Sequence, residues 1–273
     1  MKKIILAFDG TAFSEGAFEF ARRLHELQPV LLTGVFLPRA ALADLWSYAG
    51  GAGNALIALA DNGEGDLVQK NIEHFEKRCN ANGISYRVHK DFYELALAEL
   101  KKESRYADLL ILGTEVFYKH IGTTSSGDYV RQALHDVVCP VLLVPEIVDF
   151  PESIILAYNG SEEAVYAIKQ FAYLFPELTN KQTLLVYASN HPDEDIPDKM
   201  QMEELVSKHF TNLTLLKLNI QSKKDFSAWV FEKKSAMLVS GSYGRSGLSE
   251  LFKNSFIKEI IGSHRLPVFI AHK

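Results

Sequence analysis

The chain contains one unit twice. Lys3–Thr11 (KIILAFDGT) returns 150 residues later as Ser153–Ser161 (SIILAYNGS). Asp108–Thr114 (DLLILGT) returns as Ala236–Ser242 (AMLVSGS) at an offset of 128, and Cys139–Val144 (CPVLLV) as Leu266–Ala271 (LPVFIA) at 127. Three landmarks in the same order imply two copies of one fold rather than one large fold. The fall in offset from 150 to 128 gives the first copy about 22 extra residues between its first and fourth strands. Pro145 to Pro151 is the natural linker, since prolines interrupt regular structure where few contacts cross. Domains of residues 1–146 and 151–273 follow.

Each copy alternates strand and helix patterns. Ile4–Phe8 is an unbroken apolar run of strand length, the mark of a strand covered on both faces. Phe13, Ala17, Phe20, Ala21 and Leu24 then share one helical face, as do Ala164, Ile168, Phe171 and Ala172 in the second copy. Ser14, Ser161 and Ser255 read as turn or helix-capping residues. Further strands are expected at 30–36, 86–89, 109–112 and 141–144, with counterparts at 183–187, 213–218, 237–240 and 268–271. Strands alternating with helices mean βαβ units on a mainly parallel sheet. The fold class is α/β: two tandem doubly wound, Rossmann-like domains with open parallel sheets, related by internal duplication.

Charge and cysteine content narrow the partners. A net charge of −5 and a pI near 6.0 provide no global field for nucleic acid or an anionic membrane, so neither is expected as a partner. Two cysteines are too few for a disulfide scaffold and suit a reducing compartment. The apolar run behind Met1–Lys3 is too short for a signal-peptide core, and the longest uncharged stretch, 45–60, is interrupted by Gly50, Gly51 and Gly53. A cytoplasmic location is expected. No Cys/His cluster has zinc spacing, so no metal site is expected, and the acidic run His191–Asp195 reads as a solvated loop. The Ala-, Leu- and Gly-rich stretch from 38 to about 66 reads either as a core helix pair or as an apolar lid or dimer surface.

In open α/β sheets ligands bind beyond the carboxyl ends of the strands. Two loops there are informative. One follows strand one: Asp9-Gly10-Thr11, and Asn159-Gly160-Ser161 in the second copy. The other follows strand four of the second copy, from Gly241 through Gly244, Arg245 and Lys253 to Asn254 and Ser255, and opens the helix that begins near Phe256. Glycines admit close backbone approach, and a hydroxyl at a helix start with nearby cations makes an anion site suited to phosphate. No Gly-Lys-Ser/Thr triplet exists for a P-loop. The glycine turn also follows strand four, where the dinucleotide fingerprint needs strand one. Spacing by itself leaves a second account open, with Gly241 and Gly244 as turn residues and Ser255 as a cap.

Gly241-x2-Gly244-x9-Asn254-Ser255 resembles the Gly-x2-Gly-x9-Gly-Ser/Thr loop of nucleotide-binding universal stress proteins, with Asn254 in place of the third glycine. Cys139-Pro140-Val141 and Leu266-Pro267-Val268 resemble the family's last strand, so the likeness spans both copies. It implies a doubly wound fold, ATP as ligand with or without magnesium, and a regulatory, stress-response role with slow hydrolysis at most. It also implies pseudo-dimeric pairing of the two copies and allows a homodimer. Carried over by position, the site residues are Asn159, Val186, Tyr187, Gly241, Gly244, Arg245, Asn254, Ser255 and Phe256. Asn159 stands where the family has a nucleoside-contacting aspartate, and Val186 and Tyr187 where adenine meets the backbone. The first copy retains Asp9, Gly113 and Gly127, but Val116 replaces its second glycine and Asp128 replaces the hydroxyl, so its site is expected to be degenerate. Two alternatives stand beside ATP binding: a nucleotide-free interaction scaffold with a vestigial site, or a first copy adapted to an apolar ligand.

Overall fold

The computed structural model describes residues 1–8, 12–37, 64–90, 96–115, 134, 136–191, 193–220, 223–241 and 255–271. The loop carrying Gly244, Arg245 and Asn254, the residues Asp9 and Gly127, and the 38–63 stretch lie outside them.

Contacts divide the chain into two compact units, Met1–Cys139 and Pro140–Lys273. The first runs β1 (Lys2–Phe8), α1 (Glu15–Leu27), β2 (Val30–Phe36), α2 (Glu64–Ala81), β3 (Ser85–His89), α3 (Ala96–Ser104) and β4 (Leu109–Gly113). Its strands lie in the order β3-β2-β1-β4, all parallel. The second unit runs β5 (Val141–Val144), β6 (Ser153–Tyr158), α4 (Glu162–Leu174), a 3-10 turn (Pro176–Leu178), β7 (Gln182–Ser189), α5 (Lys199–His209), β8 (Asn212–Asn219), α6 (Lys223–Phe231), β9 (Ala236–Gly241), α7 (Ser255–Ser263) and β10 (Val268–Ala271). Its order is β5-β10-β9-β6-β7-β8, parallel throughout except for β5, which pairs antiparallel with β10. That pairing, through Val141↔Ile270 and Leu143↔Val268, takes the first copy's last strand into the second unit. The contact boundary therefore falls ahead of the 145–151 stretch.

The shared order third-second-first-fourth confirms two doubly wound α/β copies. Each has its switch point between first and fourth strands, β1 and β4 or β6 and β9. Burial follows the apolar runs: Ile4–Phe8, Leu109–Leu112, Ile154–Tyr158 and Ala236–Val239 are each at most a few per cent exposed. Helix starts are fixed by serine caps. Ser14 Oγ accepts from the Ala17 N–H at 3.3 Å, and Ser161 Oγ from the Ala164 N–H at 3.1 Å.

The helical spacing that includes Phe13 starts the helix too early. Ser14 is the cap, six residues after Phe8, whereas Ser161 stands three after Tyr158, so the first copy's β1–α1 turn is longer. Phe13 precedes the helix and stacks on Phe8, with centroids 4.7 Å apart. Most of the additional length of the first copy lies between β2 and α2, where 38–63 falls in the sequence.

The core of the second unit centres on Phe171 of α4, fully buried and edge-on to Phe269 of β10 at 5.5 Å. Phe171→Ala removes a buried ring that β10 and Phe210 cannot refill, and is expected to cost about 3–5 kcal/mol in urea unfolding.

Candidate functional site

At the switch point of the second unit, β6 ends at Tyr158 and β9 at Gly241. Asn159 Oδ1 accepts from the Ser161 N–H at 3.1 Å, an Asx turn that brings the chain into α4 and leaves the side-chain amide as a donor. Gly160 in that turn has φ +82°, a left-handed conformation that side chains resist, and a Cβ on it would lie 2.8 Å from Pro197. A Cβ on Gly241 would lie 2.3 Å from the Glu163 carbonyl carbon and 2.4 Å from the Ala164 nitrogen. The first turn of α4 is thus pressed against the end of β9. Gly241 is required by packing, whatever a ligand demands of it.

The end of β7 carries a polar cluster. Val186 is paired on both sides, with Ala157 and Leu216, and Tyr187 is the last β7 residue opposite β6. Ala188 and Ser189 continue past β6 and pair with β8 alone. Ser189, almost fully buried, donates to Glu194 Oε2 at 2.5 Å and accepts from the His191 N–H at 3.0 Å. The Tyr187 hydroxyl also donates to the Glu194 carboxylate. Tyr158 O–H donates to the Pro197 carbonyl at 2.9 Å. Residues 193–198 therefore pass from the end of β7 to the turn after β6. Burial, then the Glu194 hydrogen bond, pushes the Tyr187 phenol up to about 12, and burial with the nearby Asp198 charge raises Tyr158 as well. Glu194 is held below the usual carboxylate range, first by Ser189 and then by Tyr187.

The first unit differs at the equivalent positions. The register that pairs Tyr158 with Tyr187 pairs Phe8 with Phe36. These phenyl rings stack at 4.8 Å, Phe13 extends the stack, and Phe75 meets Phe8 and Phe36 edge-on at 6.1 and 6.0 Å. Phe8 and Phe36 are buried, so the end of this sheet is filled with hydrocarbon where the second unit holds hydroxyls and a carboxylate. Gly113 ends β4 as expected, also buried, beside Thr114 and Glu115. Burial pushes the thiols of Cys79 and Cys139 up to about 12, which makes both poor nucleophiles. Among the described residues, no group of three or more His, Cys, Asp or Glu could hold a metal ion.

No family model matches the chain, and no curated protein matches it. Solved structures do. A universal stress protein from Archaeoglobus fulgidus DSM 4304 superposes with a TM-score of 0.73 at 16% identity, covering 100% of this chain and 96% of that one. The fold is that of a universal stress protein. Two shorter chains each match 54% of this chain and 98% of their own length. One is described as a hypothetical protein (19% identity, TM-score 0.36), the other as a universal stress protein in complex with cAMP (16%, 0.26). Neither superposition is close enough to carry an argument.

Within this universal stress protein fold, Asn159 and Gly241 flank the switch point, Val186 and Tyr187 lie where the neighbouring strand β7 last pairs with β6, and Ser255 and Phe256 open α7. Gly244, Arg245 and Asn254 of the expected set, with Asp9 and Gly127 of the first copy, fall outside the described residues. Sequence reasoning missed Tyr158, Ser189, Glu194 and Pro197. The exchange of Phe8 and Phe36 for Tyr158 and Tyr187 between repeats was the available signal. Among the described residues no helix is long and apolar enough to cross a membrane.

Two outcomes follow. Gly241→Ala forces the start of α4 away from β9 and is expected to cost roughly 1–3 kcal/mol in urea unfolding, with or without ligand. The Glu194 latch needs the ionised carboxylate and its folded-state pKa is lowered. Its contribution is complete above the ordinary glutamate pKa near ~4.3 and is lost as pH falls through the lower folded value. Amide exchange at 193–198 is expected to accelerate over that acid range, and the acceleration is expected to vanish in Glu194→Gln.

Proposed function

We propose that this chain is a tandem member of the universal stress protein family whose C-terminal copy binds ATP or a related adenine nucleotide. The role is regulatory, in a cytoplasmic stress response, with binding rather than vigorous catalysis as its output. The observation that carries this reading is the convergence of Asn159, the Tyr158–Tyr187 end of the sheet and Gly241 at one switch point. There the Asn159 side chain and the hydroxyl-bearing Tyr158 and Tyr187 stand at the end of the sheet where an open α/β fold takes its ligand. The sequence between Gly241 and Ser255 adds Arg245 and Lys253, cations suited to phosphate, ahead of the start of α7.

The phenyl-filled end of the first sheet supports a division of labour. Among the described residues Phe8 and Phe36 fill it with hydrocarbon rather than hydroxyls, and in this reading the first copy serves as scaffold or contacts an apolar ligand. The reading therefore requires one nucleotide per chain.

Isothermal titration of nucleotide-stripped protein with MgATP tests this. One site per chain with micromolar affinity is expected, abolished by Ser255→Glu, which places a negative charge at the start of α7. Absence of heat and of thermal shift up to millimolar ATP would leave the interaction-scaffold reading in its place.

A further inference from the structure

We propose that β8, the outer strand of the second unit, is a self-association edge. On it a second copy of this chain pairs its own β8, antiparallel, about a two-fold axis at Leu216. The proposal stands apart from the nucleotide reading and shares no residue with that site.

Unused backbone groups are the first argument. β8 closes the strand order and, among the described residues, its ladder is with β7 alone. Just past the strand, the Ile220 N–H donates to the Ser189 carbonyl of β7 at 3.0 Å. Backbone groups alternate sides along a strand, so the even-numbered residues of β8 turn theirs to β7 and the odd-numbered ones turn theirs away. The outward N–H and C=O of Leu213, Leu215 and Asn219 meet no donor or acceptor among the described residues. A row of this kind is a template for another strand.

The chemistry of the strand is the second argument. The first unit's outer strand, β3, is short and guarded: it has five residues, Arg87 donates to the Tyr86 carbonyl at 2.9 Å, and His89 is joined to Glu103 at 2.8 Å. Charges and short length discourage pairing at an edge. β8 has eight residues, no proline and a single charge, Lys217. Its four leucines, at 213, 215, 216 and 218, are all half-buried.

Self-complementarity selects the occupant. Opposed residues of an antiparallel pair must place their side chains on the same face, so about a two-fold axis an odd position meets an odd one. Centred on Leu216, Leu213 meets Asn219 of the second copy and Leu215 meets its Lys217. Every outward-turned residue of β8 is then matched, the two strands have equal length, and no like charges are opposed. This chain already joins two equivalent strands in the same way. β5 and β10 pair antiparallel, with Leu142 opposite Phe269, its counterpart in the repeat at the offset of 127.

Sedimentation velocity of the full chain over a concentration series tests the proposal. The mass is expected to rise from 30.6 kDa toward twice that value. Leu215→Lys sets a lysine opposite Lys217 of the other copy and is expected to return the chain to monomer. Leu215→Glu sets an opposite charge there and is expected to keep the dimer. Both replace the same half-buried leucine by a charged chain, so matched urea midpoints separate the effect of sign from that of folding. Leu216→Cys is expected to give a disulfide-linked dimer on diamide oxidation, because the two thiols meet at the axis. Cys79 and Cys139 are buried and do not compete. A wild-type chain that is monomeric at every concentration overturns the self-pairing. A dimer indifferent to the sign of charge at position 215, or one that Leu216→Cys fails to link, overturns the assignment to β8.

Discussion

Every strand in the middle of these sheets is buried on both faces, and the rest of the molecule follows from that constraint. A parallel ladder covered by helices has no place for polar side chains along its length, so Ile4–Phe8, Leu109–Leu112, Ile154–Tyr158 and Ala236–Val239 are almost entirely hydrocarbon. Polar side chains are concentrated at the strand ends, with Thr33 in the middle of β2 a buried exception. There the ladder stops, backbone groups lose their partners, and short side chains such as Asn159 and Ser161 satisfy the emerging chain. Gly241 belongs to the same economy of space, since α4 can start beside Asn159 only if β9 ends without a side chain.

Two copies of one fold have diverged at these strand ends rather than in their cores. The same register carries Phe8 opposite Phe36 in one unit and Tyr158 opposite Tyr187 in the other. Four ring positions, distinguished by two hydroxyls, separate a closed apolar end from one that holds a carboxylate and a carbonyl. Desolvation favours the neutral phenols, and the hydrogen bonds to Glu194 and Pro197 satisfy them. A duplicated unit can thus bury the same core in both copies while the described strand ends differ in polarity.

Much of the architecture was readable in advance. The nine strand positions expected from the sequence all lie on strands, with ends shifted by at most two residues, because unbroken apolar runs report double-sided burial directly. Ser14 and Ser161 were readable as caps from residue type alone. Phe13 was misplaced because its spacing to Ala17 and Phe20 fits a helical face, although the Ser14 cap starts the helix after it. The acidic run around Glu194 read as a solvated loop, since composition cannot distinguish a free carboxylate from one tied to a neighbouring strand.

The sequence by itself determined the duplication, the βαβ alternation, the strands and the serine-capped helix starts. Each of these depends on burial or hydrogen bonding within a few residues. Only the tertiary structure decided that Gly241 is needed by α4, that Phe13 completes a stack with Phe8 and Phe36, and that Ser189 and Tyr187 hold Glu194 at the end of β7. Such contacts depend on where the sheet order brings β9 against α4 and on how the chain after β7 turns back over β6. Local periodicity has no term for either, because it records which face of an element is buried and not which element buries it.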